Sequence, residues 1–366
     1  MKSDKKKIKS KEMFDSLVRN AIDFLEHSAF ELEEKPKYSV INFCTAVELF
    51  LKARLMLEHW NLIYEDPKIA NFTQFLQGNF KSVGMIDAIG RLKKVVDLEI
   101  TEDEEKCFDK IREHRNQLIH FFNKAYINKP DAKIVESVVA EECKGWFYLY
   151  QLLTKKWRNE FLDHISEIER LNKLMLGRRK YLQAKFSALS SDIEKYKKKG
   201  IKFSICQACG YESGKESVIA EPLISTDCLV CETQLRQIII SCPNCKNSID
   251  IDDLGEGYCE NCEASIDMEY LLEKYAKFVH LGKGEFKENR AYCSDCEYCE
   301  QQQQSVVLLE NIWVCLSCLE IHQEIGHCGY CNNFIAGDLE DSFLSGCFMC
   351  DGQMGHYLNS SAYDDD

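Results

Sequence analysis

The sequence has no apolar run approaching the roughly 20 residues that a membrane-spanning helix needs. Its charged start, MKSDKKKIKSK, leads into no apolar stretch of the secretory kind. These absences predict a soluble, cytoplasmic protein whose thiols stay reduced. Cysteine is scarce in the first 200 residues, which hold only Cys44, Cys107 and Cys143. Positive charge is scarce in the remainder: residues 201–366 carry 9 Lys+Arg against 29 Asp+Glu. A balance of -20 there disfavours contact with nucleic-acid phosphates. Residues 1–200 carry 37 and 31, so the net charge of -14 joins a basic half to an acidic one. Halves of opposite charge should have different partners. They meet in KYKKKG (195–200).

What the second half has in excess is cysteine. Seventeen of the 20 lie between 206 and 350, and sixteen form eight CxxC pairs. These are Cys206 and Cys209, Cys228 and Cys231, Cys242 and Cys245, Cys259 and Cys262, Cys293 and Cys296, Cys315 and Cys318, Cys328 and Cys331, and Cys347 and Cys350. One CxxC turn puts two sulfurs on one side of a tight loop, and two such turns complete a tetrahedron that zinc accepts readily. The pattern predicts four structural Zn2+ sites in four small β-rich zinc ribbons, over 203–235, 238–268, 290–322 and 325–355. Strand-like stretches fall at 217–221, 236–240 and 305–314. Four thiolates leave no open position for water, so such sites support a fold rather than catalyse.

The array repeats. Cys206, Cys209, Cys228 and Cys231 recur 87 residues on, Cys242 and Cys245 recur 86 on, and Cys259 and Cys262 recur 88 on. That is a tandem duplication of a two-ribbon unit. The repeat favours Cys293 with Cys296 over the rival pair Cys296 with Cys299, although the loop from Cys299 to Cys315 is also workable. His322, His327 and His356 lie near the pairs, but none is needed to complete a set. A crossed scheme, with neighbouring ribbons sharing an ion, also fits the spacing. The acidic surface points to a protein partner.

Residues 10–160 read as helices. Apolar residues recur at helical spacing over 13–33, which Pro36 stops, and again over 38–60, 85–97, 102–126 and 131–157. Thr101 and Glu104 have the spacing of a capping box for the fourth. Within it, Asn116 and His120 are four apart and share a face. Arg115 lies about 140° round the axis from His120, within reach of its long side chain. A guanidinium and an imidazole on one patch suit a phosphodiester: one neutralises the phosphate, the other moves a proton near neutral pH. Glu48 on the second helix is placed to orient either of them, or to pair with Lys52 four residues on.

RNQLIH (115–120) resembles the RxxxxH motif of HEPN domains, with the polar residue that often follows the Arg. YSVINFCTAVELFLKARL (38–55) is similar to the second helix of many bacterial HEPN domains. The resemblance covers roughly residues 10–160. It implies an all-α bundle pairing as a homodimer, with two motifs in one cleft, and a metal-independent endoribonuclease of a defence or toxin system. Arg115, Asn116 and His120 carry over as catalytic. The residues also allow a silent reading, in which Arg, Asn and His pin two helices of a binding module. RNA is the expected partner of this half.

Between the halves, residues 161–199 read as a connector helix. Phe161, Ile165, Ile168, Asn172, Met175, Arg179, Leu182, Phe186, Leu189, Ile193 and Tyr196 follow a heptad, with polar residues at two a positions. This predicts a parallel coiled-coil dimer. Gly177 interrupts it, which leaves open a hairpin or a helix folded back on the bundle.

Overall fold

Pro36 separates two helices by opening the second. The first, α1 (Lys2–Glu31), stops a few residues before it, and α2 (Pro36–Glu58) places the ring in its first turn. A missing N–H costs nothing there, because the first-turn donors have no partner within the helix. The central part of α2 is apolar on nearly every side: Phe43, Cys44, Val47, Phe50, Leu51 and Leu55 are all fully buried. Such a helix has to be surrounded. In the computed structural model α2 packs against α1, α4 (Met85–Val95), α5 (Glu102–His120) and α6 (Ala132–Gln151). A short α3 (Phe72–Leu76) lies in the chain between α2 and α4.

The structure describes residues 2–96, 100–120, 132–251, 256–276, 279–280, 286–287, 290–293, 304–323, 325–337 and 339–355. They divide into two units, Met1–Glu194 and Lys195–Asp366. No described helix is long and apolar enough to cross a membrane.

The core of the first unit is aromatic. Phe43 of α2 stacks on Trp146 of α6 with ring centroids 6.0 Å apart, and Phe50 meets Phe161 edge-on at 5.9 Å. Burying each such ring is worth about 1.5–3 kcal/mol. Gly145 permits the approach of α6. A methyl group there would fall 2.5 Å from Ile111 Cδ1 and 2.8 Å from Phe43 Cε1. The capping box forms as expected: Thr101 N–H donates to Glu104 Oε2 at 2.7 Å, and Glu104 N–H donates to Thr101 Oγ1 at 3.3 Å. Residues 121–131, which include the end of the expected fourth helix, lie outside the described residues.

The expected continuous connector helix is corrected to two helices, α7 (Ile165–Leu176) and α8 (Arg179–Lys198), separated at Gly177 and Arg178. The physical reason is burial within the chain. Phe161, Ile168 and Met175 join the bundle core, and α7 packs on α1. Asn172, one of the polar heptad residues, is buried and accepts a hydrogen bond from the Tyr181 hydroxyl at 2.9 Å. The seam of α7 is therefore filled by its own bundle.

Among the described residues the second unit holds three sheets, two of them large. The first is a seven-stranded antiparallel meander of β1 (Phe203–Ile205), β2 (Glu212–Ala220), β3 (Leu223–Cys228), β4 (Gln234–Ser241), β5 (Ser248–Ile251), β6 (Gly257–Tyr258) and β7 (Ser265–Ile266). Helix α9 (Met268–Tyr275) follows, then a hairpin of β8 (Val279–His280) and β9 (Phe286–Lys287). The second sheet uses β10 (Arg290–Cys293), β11 (Val306–Leu309), β12 (Ile312–Cys315), β13 (Ile321–His322), β14 (Ile325–His327) and β15 (Phe334–Ala336). Its order is β13-β12-β11-β10-β15-β14, with β10 parallel to β15 and the other pairs antiparallel. A short α10 (Ser342–Ser345) comes last.

The duplication shows in these strands. β4 pairs with β3 on one side and β5 on the other, so one strand serves the first two cysteine clusters. Its counterpart in the second repeat is broken into β13, which pairs with β12, and β14, which pairs with β15. The clusters also pool their apolar residues. Leu223, Ile238 and Ile249 of the first sheet, Leu272 of α9, and Val307 and Val314 of the second sheet belong to one buried core.

Candidate metal centres and candidate active site

Six of the CxxC turns are built alike. The amide after the second cysteine donates to the carbonyl of the first: Gly210 to Cys206 at 2.8 Å, Glu232 to Cys228 at 3.0 Å, Lys246 to Cys242 at 3.1 Å, Glu263 to Cys259 at 2.8 Å, Leu319 to Cys315 at 2.9 Å and Asn332 to Cys328 at 3.0 Å. The amide of each first cysteine in turn donates to the carbonyl five residues on. Each donor after the second cysteine has positive φ, from 58° at Asn332 to 77° at Gly210. That left-handed residue turns the chain sharply enough to aim both sulfurs inward. The turn of Cys347 and Cys350 differs: these two residues bond to one another through N–H and C=O in both directions.

The turns meet in pairs, in chain order. Cys206, Cys209, Cys228 and Cys231 bring their sulfurs within 4.8 Å of one another, as do Cys242, Cys245, Cys259 and Cys262, and Cys328, Cys331, Cys347 and Cys350. Cys293, Cys315 and Cys318 form the remaining group. Cys296 and its rival Cys299 lie outside the described residues. Sulfur separations are 3.5 Å for Cys206 and Cys231, 3.4 Å for Cys245 and Cys259, and 3.7 Å for Cys328 and Cys350. A disulfide needs about 2.05 Å. Four sulfurs about 2.3 Å from a central ion lie about 3.8 Å apart. The observed spacing is that of metal ligands, and the donors fit a closed tetrahedral site.

The surroundings pull some ligand thiols down and push others up: burial raises Cys206 and Cys331, and takes Cys209 and Cys347 up to about 12. Backbone N–H of Cys245 points at the Cys242 sulfur and pulls its thiol down. Backbone N–H of Asn247, with the Asn261 side chain, brings Cys245 down to about 6. Burial pushes the Cys228 thiol up, but the Ser213 hydroxyl and the Cys231 N–H outweigh it and leave it at about 7.

Ser213 and Ser305 are functional neighbours that spacing does not reveal. Ser213 Oγ lies 3.1 Å from Cys228 Sγ, and Ser305 Oγ lies 3.2 Å from Cys315 Sγ. The backbone carbonyl of each serine also accepts from the amide of the residue after the cysteine, Leu229 or Leu316, at 2.9 Å. The two serines are structural equivalents, yet they precede their cysteines by 15 and 10 residues. His322 is buried with Nε2 3.3 Å from Cys293 Sγ, beside a ligand sulfur. His327 bonds the Asn332 carbonyl through Nδ1 at 2.9 Å, and His356 lies outside the described residues.

In the helical unit α2 and α5 place Glu48 against Arg115. Arg115 Nη2 donates to Glu48 Oε2 at 3.4 Å, and Lys52 Nζ donates to Glu48 Oε1 at 2.5 Å. Lys52 also donates to Ser82 Oγ at 2.9 Å. Glu48 thus takes both pairings the sequence allowed. Burial raises the Cys44 thiol, against the hydrogen bond and charge of Arg115 beside it. Asn116 is half-buried and His120 exposed. α5 stays helical through His120, so Asn116 and His120 share a face. Among the described residues, no hydrogen bond joins His120 to Arg115, Asn116 or Glu48. The neighbouring His114 faces α6 instead: its Nε2 is 2.9 Å from Glu141 Oε2, and this bond holds the Glu141 carboxyl below its usual range.

Comparison of the chain with protein-family models, with curated proteins and with solved structures found no match.

Proposed function

We propose that the chain is a two-part RNA-processing protein, with a HEPN-type helical half that cleaves RNA and a zinc-ribbon half that docks a protein. The observation that carries the catalytic part is Arg115. Its guanidinium is oriented by Glu48 from a separate helix, while His120, five residues on, stands open to solvent at the described end of α5. An oriented cation and an accessible imidazole on one helix are groups that cleavage of a phosphodiester can use. His120 takes the proton from a ribose 2′-OH as that oxygen attacks phosphorus, and Arg115 stabilises the charge that develops. The 5′ oxygen leaves with a proton supplied by water, giving a 2′,3′-cyclic phosphate and a 5′-OH. Pairing of two copies brings two such faces to one RNA.

Zinc is the metal that four thiolates at this spacing favour, one ion at each of four clusters, with Cys296 completing the third. Binding worth about 10–16 kcal/mol per structural site supplies folding free energy that such small modules lack. The ion has no catalytic part here.

A second reading has its own support: the Arg115–Glu48 pair also ties α5 to α2, as it would in a silent binding module. The full-length, zinc-loaded protein decides between them. Incubated with single-stranded RNA without added metal, it should release 2′,3′-cyclic phosphate ends, and His120→Ala should abolish release with unchanged folding. Binding of RNA without cleavage, equal in both proteins, would establish the silent reading.

A further inference from the structure

The last cysteine cluster differs from the others in what it shows to solvent. Between 325 and 355 five large apolar side chains, Tyr330, Phe343, Leu344, Met349 and Met354, are 40 to 61% exposed. Two are the third residues of CxxC turns, at the tips of CGYC and CFMC. In the counterpart turns of the first repeat, CPNC and CENC, the third residues are the polar Asn244 and Asn261. Phe343 is held in place by the turn beneath it. Gly329 N–H donates to Ser342 Oγ at 3.0 Å, and a methyl group on Gly329 would lie 3.0 Å from Phe343 Cβ. Tyr330 and Phe343 meet edge-on with ring centroids 6.3 Å apart.

The sequence that carries these residues has charge of one sign. No Lys or Arg follows Arg290, and residues 291–366 carry 13 Asp+Glu. Each four-thiolate ion site adds about two negative charges by valence. Such a surface repels phosphate chains and anionic lipid headgroups. It equally repels a second copy of itself. An exposed apolar cluster in that field fits a partner with apolar anchors set among positive charges.

We infer that the Tyr330–Phe343 face of the last ribbon is a docking site for a cationic amphipathic segment of another protein, most simply a helix with Lys or Arg flanking apolar anchors. This deepens the docking role given above to the zinc half and rests on it. The apolar side chains supply the anchoring contacts, and the acidic surround supplies attraction and orientation. Neither alone is selective: charge without the cluster attracts any cation, and the cluster without charge accepts any apolar segment.

The probe is a fluorescent helical peptide with leucines at i, i+4 and i+7 and lysines elsewhere, titrated into the full-length, zinc-loaded chain. Two comparison peptides carry the leucines in scrambled order, or glutamate in place of lysine. The lysine–leucine helix should bind at least tenfold more tightly than either. Phe343→Ser with Leu344→Ser should lose at least tenfold in affinity while zinc content stays unchanged. Val218→Ser, at an exposed apolar residue of the first ribbon, should bind as wild type. If the double variant loses zinc, Tyr330→Ser and Met349→Ser replace it. Undiminished binding by the variants, or equal binding of the scrambled peptide, overturns this assignment and leaves a docking role elsewhere in the acidic half. Failure of every cationic peptide to bind overturns both. Self-association of the wild type that the double variant abolishes would instead make the face a contact between copies.

Discussion

Ser28 of α1 donates a hydrogen bond at 2.9 Å to Glu142 of α6, whose carboxyl is wholly buried in the bundle. Ser39 of α2 donates to the same Oε1, and among the described residues Oε2 has no partner. Burial raises this carboxyl to about 8 against the two serine bonds, with the Glu31 carboxylate adding to the rise. The folded chain therefore keeps a proton that the unfolded chain gives up near the ordinary carboxylate range. A raised group stabilises most below its unfolded pKa, and the contribution fades as pH rises toward about 8. Stability of the helical half should fall between about pH 5 and 8, by up to about 1.4 kcal/mol per pH unit from this group. Glu142→Gln should flatten that slope, read as the difference between two denaturant series. Equal slopes would show that Glu142 is ionised in the fold.

Gly145 is the point of closest approach of α6 to α2 and α5. Gly145→Ala places a carbon 2.5 Å from Ile111 Cδ1, so the Ile111 and Phe43 side chains have to move. The cost should be about 1–3 kcal/mol, as for other overpacked cores. Helix propensity alone runs the other way, favouring Ala by about 1 kcal/mol. The sign of the change in urea midpoint therefore tells which effect prevails.

Removing the hydroxyls beside the ligand sulfurs should loosen the metal without displacing a ligand. Ser213→Ala and Ser305→Ala are each expected to weaken retention about tenfold, the lower end for outer-shell partners of a metal site. Competition with a chromogenic chelator measures it. Ser217→Ala, on the same strand as Ser213, should leave retention unchanged.

Gly210 stands at φ 77°, where a β-branched side chain is strained. Gly210→Val should cost about 1–2 kcal/mol and release metal from the first cluster ahead of the others. At Lys246, φ 67°, the same backbone is occupied by a non-glycine residue, so Lys246→Gly should stabilise the second cluster or leave it unchanged. In thermal scans Gly210→Val should lower the midpoint and Lys246→Gly should not.

The parts most legible in sequence were those fixed by local geometry. CxxC spacing and the repeat interval identified which cysteines gather, because a tight turn determines where two sulfurs go. Thr101 with Glu104 is equally local, as is Pro36 as the mark of a break between two helices. At 161–199 the sequence left open a coil between copies, a hairpin and a fold-back on the bundle, because the partner of the α7 seam is α1, more than a hundred residues away in the chain. A heptad says that a stripe is apolar, not what covers it, so Asn172 looked like a register-setting residue and proved to be the acceptor for Tyr181. Ser213 and Ser305 were hidden for a related reason: their equivalence is set by strand pairing, and the intervening loops differ in length. Glu142 had no signal, since a buried carboxyl between two serines reads in sequence like any surface glutamate.

The uninterrupted β4 ties the fate of two ions together. Gln234 to Ser241 is hydrogen-bonded to β3 along one edge and β5 along the other, so fraying it from either end strips support from both. The first repeat should therefore empty in a single concerted event when challenged by a chelator. In the second repeat the tie is shorter: β13 and β14 are separate strands, and the third and fourth clusters are joined through the two-residue pairing of β10 with β15, so its two ions should depart less in concert.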